Sequence, residues 1–112
     1  MLFVNYPKCS TCKKARKFLE EKGVAFEARD IKEQNPTVDE LKEWIAKSGL
    51  PAKKFFNTSG MLYRQMELKD KLPNMSEQEM IELLATDGML VKRPILVSED
   101  KVLVGFRQAE WE

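Results

Sequence analysis

The sequence predicts a small α/β protein in which helices cover a mixed four-stranded sheet. A strand–helix–strand pattern occupies residues 2–30, a helical block follows, and two short apolar runs near the C-terminus predict a hairpin. A short C-terminal helix completes the predicted order. We expect the 112 residues to form a single domain, 1–112, with a helical insertion at about 36–90.

The first strand is predicted at residues 2–6, where "LFVNY" is short, apolar and rich in β-forming residues. A helix is predicted after Pro7, and it ends at Gly23 because glycine is favoured just past a helix C-terminus. The apolar face predicted for this helix consists of Cys12, Ala15 and Leu19.

The second strand is predicted at residues 24–30, where apolar and polar residues alternate in "VAFEARD". Together with the preceding strand and helix it makes a βαβ unit. The two strands of such a unit are parallel, because the helix carries the chain back to the same end of the sheet.

The middle of the chain is predicted to be helical, because two capping boxes mark helix starts. Thr37 with Glu40 opens one helix, and Ser76 with Glu79 opens another. Between them the sequence predicts short helical turns and a loop at residues 57–60.

Near the C-terminus, two short apolar runs, Ile95–Val97 and Val102–Val104, are joined by a polar turn, which predicts a β-hairpin. Placing this hairpin beside the βαβ unit gives one mixed sheet covered by helices.

Composition argues against several functional classes. Hydrophobic residues at 43% and charged residues at 33% are typical of a globular protein. Nineteen basic and eighteen acidic residues leave a net charge of +1, which gives no general attraction to nucleic acid or anionic membranes. No apolar stretch reaches the roughly 20 residues of a membrane span, and the N-terminus lacks a signal-peptide pattern. We therefore expect a cytoplasmic protein without a permanent structural disulfide.

The chain has two cysteines, Cys9 and Cys12, separated by two residues, and redox chemistry competes with three other uses of such a pair. Structural zinc normally takes four cysteine or histidine ligands, and this sequence has no histidine, so we expect no metal. A structural disulfide across so short a loop would save little chain entropy. Two ordinary half-buried cysteines are a further alternative, because Cys12 suits the apolar face of its helix.

The position of Cys9 favours a reactive pair. It lies between a strand end and the first turn of a helix, where unpaired amides carry about half a positive charge. Lowering a thiol pKa from about 8.5 to about 7 takes about 2 kcal/mol. A helix terminus supplies up to about 2 kcal/mol when partly buried, and Lys8 and Lys13 add to it. The thiolate would attack, and Cys12 would resolve the mixed disulfide.

Four segments together resemble the arsenate reductase-like family, the branch of the thioredoxin superfamily that includes ArsC, Spx and MgsR. They occur in order over nearly the whole chain. The segments are "YPKCSTCKKA", "FFNTSGMLYR", "DGMLVKRPILV" and "VLVGF".

The resemblance implies a thioredoxin-like fold with a helical insertion between the second and third strands. By this likeness Cys9 matches the family's nucleophile, and Pro94 matches the proline that is cis in this fold. Arg64, Arg93 and Arg107 match the three arginines that surround the oxyanion in arsenate reductases. Guanidinium groups bind tetrahedral oxyanions in a bidentate manner and lower the pKa of a nearby thiol.

Two positions differ from arsenate reductases of this type, which usually have a histidine at the place of Asn5 and a serine at the place of Cys12. An internal CxxC pair instead resembles that of the redox-switch regulators in the family. The resemblance thus implies a thiol–disulfide oxidoreductase that uses Cys9 and Cys12, with an oxyanion such as arsenate as a candidate substrate. The differences at Asn5 and Cys12 favour thiol–disulfide exchange over arsenate reduction. The alternative is a redox-sensing transcriptional regulator of the Spx/MgsR type that binds RNA polymerase.

The expected partners follow from these two functions. They are a thiol reductant, either glutathione with glutaredoxin or a thioredoxin system, or a small oxyanion substrate. No cofactor, membrane or direct nucleic-acid contact is expected, and the protein is expected to be a monomer. The basic cluster "KKARK" at residues 13–17 is interpreted as the solvated face of the first helix, balanced by Glu20 and Glu21.

Overall fold

The computed structural model describes residues 1–111, and within them four strands form one mixed sheet with α-helices packed around it. The strands are β1 (Leu2–Asn5), β2 (Glu27–Asp30), β3 (Ile95–Val97) and β4 (Val102–Val104). The helices are α1 (Ser10–Glu21), α2 (Val38–Ser48), α3 (Met61–Gln65), α4 (Leu68–Lys71), α5 (Glu77–Leu84) and α6 (Gln108–Trp111). Short 3-10 turns lie at Ala52–Phe55, Leu72–Asn74 and Gly88–Leu90. This order confirms the predicted βαβ unit, helical block, hairpin and C-terminal helix.

The strands have the spatial order β2-β1-β3-β4. β1 and β2 are parallel, whereas β3 is antiparallel to both β1 and β4. The parallel pair and the hairpin, which were predicted from the sequence, are therefore confirmed. Because β1 is hydrogen-bonded to a strand on each side, the position of its C-terminal end, and of the start of α1 that follows, is fixed by the sheet.

The first strand is one residue shorter than the predicted range of 2–6. β1 ends at Asn5 because the chain turns at Tyr6, whose carbonyl accepts a hydrogen bond from the Cys9 amide at 2.9 Å. This tight turn places Cys9 just beyond the C-terminal end of the inner strand β1.

The second strand also begins later than predicted, since residues 24–26 lie outside it. The parallel register pairs Leu2 with Glu27, so the residues before Glu27 have no strand partner on β1. The Val24 amide donates instead to the Leu19 carbonyl at the end of α1, at 3.1 Å. The Phe26 ring packs edge-on against Phe3, with 5.4 Å between the ring centroids.

The sheet separates two hydrophobic clusters, because successive residues of a strand point to opposite faces. Val4 of β1 belongs to the larger cluster on the side of the helical insertion, and Phe3 belongs to a smaller cluster with α1 and α6. Buried members of the larger cluster include Leu41, Trp44, Phe55, Leu84 and Ile95. The smaller cluster contains Phe3, Ala15, Leu19, Leu96 and Trp111.

Both predicted capping boxes are present. The side chains of Thr37 and Ser76 accept hydrogen bonds from the amides of Glu40 and Glu79, and each glutamate accepts one from the cap amide in return. These contacts satisfy amides that a helix leaves unpaired at its start. None of the helices in residues 1–111 combines the length and apolar character needed to cross a bilayer.

Candidate active site at the start of the first helix

Cys9 is the N-cap residue of α1, with an extended backbone conformation (φ −82°, ψ 125°). In contrast to the two boxed helices, α1 has no hydroxyl oxygen at its N-cap position and, among the described residues, no acidic residue in its first turn. The amides of Thr11 and Cys12 are therefore free to donate hydrogen bonds to the Cys9 sulfur. The structure thus gives Cys9 the strand–turn–helix setting that the sequence predicts.

The pKa of Cys9 lies below that of an ordinary thiol. Partial burial acts against this and raises the pKa, but hydrogen bonds to the sulfur outweigh the burial. The donors are the backbone and thiol of Cys12, the amide of Thr11 and the guanidinium of Arg93. Since these groups stabilise the anion, the site favours a Cys9 thiolate.

Cys12 has the opposite properties. Its side chain is buried on the inner face of α1 with only 1% of its surface exposed, and its pKa is raised to about 12. Burial is the main cause, and the charge and hydrogen bond of Cys9 add to it. The Tyr6 amide lies 3.5 Å from the Cys12 sulfur and partly opposes the rise. Cys12 is therefore held as a neutral thiol next to the more acidic thiol of Cys9.

Tyr6, directly after β1, packs against Arg93, which lies just before β3. The Arg93 guanidinium carbon lies 5.1 Å from the centre of the Tyr6 ring, a cation–π contact. Within residues 1–111, Nη1 of Arg93 is buried without a hydrogen-bond partner. A buried cationic donor without a partner favours the anionic form of the neighbouring Cys9 sulfur. The Arg93–Pro94 peptide bond is cis, the geometry that the resemblance implies.

Cys9 lines an open cleft of about 1010 Å³. The lining comes from the start of α1, the segment 48–61, the Lys92–Arg93 pair, and the segment 102–110 that contains β4 and the start of α6. Elements from both halves of the chain therefore meet around this thiol.

The cleft is basic. Among the described residues that line it, four carry positive side chains and one carries a carboxylate. They are Lys54, Lys92, Arg93, Arg107 and Glu110. Sequence reasoning missed Lys54 and Lys92. The adjacency of Lys92 to Arg93 was the available signal for one, whereas Lys54 reaches the cleft only through the fold of the helical insertion.

The three predicted arginines occupy different environments. Arg93 lies at the sulfur and lines the cleft, and Arg107 lines the cleft with 80% of its side chain exposed and pairs with Glu110 at 3.8 Å. Arg64 is exposed on α3 and is not among the described residues that line the cleft. The structure therefore brings Arg93 and Arg107 to the cleft of Cys9, and it does not bring Arg64 there.

Asn5, at the place where arsenate reductases usually have a histidine, is buried with 4% exposure. Its side-chain amide donates to the Arg29 carbonyl on β2 at 3.2 Å. Asn5 thus braces β1 against β2 below the site and is not among the described residues that line the cleft. Within residues 1–111, no group of three or more cysteine, aspartate or glutamate side chains is arranged to hold a metal ion.

A family model for the ArsC family matches residues 4–112. The uncharacterized protein YusI of Bacillus subtilis is 54% identical over 112 residues, which is 100% of this chain and 95% of YusI. The regulatory protein MgsR of the same bacterium is 27% identical over 110 residues, 98% of this chain and 86% of MgsR.

Solved structures agree with these sequence matches. An ArsC family related protein from Bacteroides fragilis superimposes with a TM-score of 0.97 at 58% identity, covering 98% of this chain and 92% of that one. A possible arsenate reductase from Streptococcus mutans has a TM-score of 0.88 at 48% identity, covering 96% and 91%. These similarities confirm the likeness found in the four sequence segments and the thioredoxin-like fold that it implies.

Proposed function

The chain belongs to the ArsC family, and we propose that it is a thiol–disulfide oxidoreductase whose redox centre is the Cys9–Cys12 pair. The observation that carries this proposal is the division of properties between the two thiols. The pKa of the half-exposed Cys9 is lowered, and the pKa of the buried Cys12 is raised to about 12. Cys9 is suited to attack a substrate disulfide, and Cys12 stays protonated until the mixed disulfide has formed.

The proposed reaction has two steps. The Cys9 thiolate attacks a sulfur of a substrate disulfide, so that a mixed disulfide forms and the second substrate sulfur leaves as a thiolate. Cys9 then carries no charge, so its contribution to the raised pKa of Cys12 disappears. The Cys12 proton passes to the departed substrate thiolate, and the Cys12 thiolate attacks the Cys9 sulfur. The bond between Cys9 and the substrate breaks, and the remaining substrate sulfur leaves as a thiolate that takes a proton from solvent. The pair becomes a disulfide, the substrate gains two electrons, and a dithiol or two molecules of a monothiol reduce the pair again.

Single-cysteine variants test this proposal. Cys9→Ser is expected to abolish reduction of a small disulfide such as hydroxyethyl disulfide. Cys12→Ser is expected to retain attack by Cys9 and accumulate the mixed disulfide, detected as an adduct by intact-protein mass spectrometry. Circular dichroism of both variants provides the folding control. Full activity in a folded Cys9→Ser protein would overturn the proposal.

An oxyanion such as arsenate is the finer substrate assignment. Its support is the 48% identity with the possible arsenate reductase of S. mutans, together with the guanidinium of Arg93 at the thiol. We propose Arg93 as the main anion contact. The side chains of Arg107 and Arg64 would have to move toward Cys9 to contact the same anion. Arsenate-dependent oxidation of the thiol pair, and its loss in Arg93→Ala, is the result expected if arsenate is a substrate.

The second candidate function is a cytosolic redox-sensing regulator that binds RNA polymerase. The observation that favours it is the similarity to the regulatory protein MgsR over 98% of this chain. Pull-down of RNA polymerase by the oxidised protein but not by the reduced one would support this function. Equal absence of polymerase from both forms would leave the oxidoreductase as the sole candidate.

A further inference from the structure

We infer that the cleft beside Cys9 is a docking surface for an acidic, cysteine-containing polypeptide, whose disulfide is the substrate of the pair. This inference rests on the proposed oxidoreductase function and names its substrate class. It is drawn from three features of the cleft: its size, its charge and its exposed apolar side chains.

The cleft is much larger than a tetrahedral oxyanion needs. Its volume of about 1010 Å³ lies at the upper end of the range for sites that hold drug-sized ligands, about 300–1,000 Å³. The positive side chains also come from three separate parts of the chain: Lys54, the Lys92–Arg93 pair and Arg107. Arg107 is 80% exposed and paired with Glu110, and Arg64 is absent from the described lining. An extended segment of several residues fills such a cleft better than a single anion does.

The charge of the cleft favours an acidic segment. Lys54 lies on the 3-10 turn after α2, and Lys92 and Arg93 lie just before β3, so the cations approach from two separate elements. Glu110 is the one carboxylate among the described lining residues, and Arg107 already pairs with it. Complementary charge of this kind steers an encounter and fixes its orientation.

Apolar side chains at the cleft indicate a polypeptide. Among residues 1–111, the exposed large hydrophobic side chains are Met1, Leu50 and Met61, and the last two line the cleft. Leu50 is 39% exposed and Met61 is 73% exposed. Apolar groups exposed beside a reactive thiol suit a partner that presents an apolar side chain next to its cysteine. An inorganic anion makes no use of them.

In this exchange the S–S bond of the bound polypeptide breaks and the Cys9–Cys12 bond forms, so the polypeptide gains two electrons. The pair is reduced again by a dithiol reductant. The protein therefore selects among polypeptide substrates in the first step, when Cys9 attacks a cysteine of the polypeptide that the cleft has already oriented.

Model peptides test the inference. Three peptides of equal length carry the same intramolecular disulfide and the same neighbouring leucine, and differ in having aspartate, serine or lysine at the flanking positions. We expect kcat/KM for reduction to be about tenfold higher for the aspartate peptide than for the lysine peptide, which corresponds to about 1.4 kcal/mol. The preference should shrink as salt is added, because exposed charges are screened.

A charge reversal on the protein provides the matched comparison. Lys54→Glu combined with Lys92→Glu is expected to remove the preference for the aspartate peptide. Lys53→Glu serves as the control, since Lys53 is exposed on the same turn but does not line the cleft. Met61→Ser is expected to lower kcat/KM for the peptides, because the apolar contact with their neighbouring leucine is lost.

Equal rates for the three peptides, or equal effects of the Lys53 and Lys54/Lys92 variants, would overturn the inference. In either case reduction of hydroxyethyl disulfide that depends on Cys9 would still support the proposed function. If the wild-type protein reduced none of these disulfides, the proposed oxidoreductase function would instead be overturned. Arsenate turnover with no peptide reduction would also contradict the polypeptide assignment.

Discussion

At the residue scale, Tyr6 contacts Cys9, Cys12 and Arg93. Its carbonyl accepts a hydrogen bond from the Cys9 amide at 2.9 Å, and its amide lies 3.5 Å from the Cys12 sulfur. Its ring lies against the Arg93 guanidinium at 5.1 Å. The backbone contacts survive any substitution that preserves the turn, but the ring contact depends on an aromatic side chain. Tyr6 therefore serves as a positioning residue that holds Arg93 at the thiol.

We predict that Tyr6→Leu raises the pKa of Cys9 by about 0.4–0.7 unit. The reason is that a cation–π contact contributes about 0.5–1 kcal/mol, and its loss frees Arg93 to move away from the sulfur. Tyr6→Phe keeps the ring and should leave the pKa unchanged. Ultraviolet absorbance of the thiolate as a function of pH measures both. Identical titration curves for the leucine and phenylalanine variants would contradict the positioning role.

The two thiols are also predicted to react in different pH ranges. Because the pKa of Cys9 is lowered, its alkylation by iodoacetamide should rise with pH through a midpoint below that of an ordinary thiol. Cys12 should resist alkylation until the pH approaches about 12, because its pKa is raised and its side chain is buried. Peptide mapping separates the two sites, and urea-unfolded protein is the control in which both react alike. Equal reactivity in the folded protein would refute the assignment of roles.

At the scale of secondary-structure elements, the turn before β3 depends on a glycine. A Cβ atom on Gly88 would lie 1.7 Å from the carbonyl oxygen of Ile31, just after β2. This close approach sets where the chain carrying Lys92 and Arg93 enters the sheet, and it therefore contributes to the geometry of the cleft.

Gly88→Ala is predicted to lower the free energy of unfolding by about 3 kcal/mol, because backbone must shift to relieve the clash. Gly23→Ala is the matched comparison. Gly23 has a positive φ of +70° but open space around it, so we expect a loss of only about 1 kcal/mol. Urea denaturation monitored by circular dichroism measures both values. A smaller loss for Gly88→Ala than for Gly23→Ala would contradict the close approach.

Local signals predicted the elements well, and long-range contacts account for the differences. The capping residues and the hairpin strands follow from a few neighbouring residues, so their bounds were predicted correctly. The start of β2 at Glu27 depends on its register with Leu2, which no local pattern specifies. Lys54 likewise reaches the cleft only through the packing of the helical insertion. Cys9 could be predicted as a site residue because it directly precedes the first helix in the sequence.

At the scale of the whole molecule, the sheet joins two hydrophobic clusters that lie on its opposite faces. β1 contributes Val4 to one cluster and Phe3 to the other, so neither cluster can lose its structure without affecting the same strand. We therefore propose that the chain folds as one cooperative domain, with the site at the junction between β1 and α1.

Substitutions on the two faces are predicted to destabilise the same unfolding transition. Leu84→Ala in the larger cluster should cost about 2–5 kcal/mol, and Trp111→Ala in the smaller cluster about 3–5 kcal/mol. Thermal unfolding followed by circular dichroism should show one transition in each variant, shifted to lower temperature. Two separate transitions in either variant would indicate independent units.

The central claim is that Cys9 and Cys12 form a reversible two-electron pair, and a redox titration tests it most directly. The protein is equilibrated with dithiothreitol buffers of graded potential, quenched with an alkylating agent and weighed by mass spectrometry. We predict one transition between the dithiol and an intramolecular disulfide, with a midpoint in the range of thioredoxins and glutaredoxins, about −270 to −200 mV. Failure to form an intramolecular disulfide at any potential would contradict it.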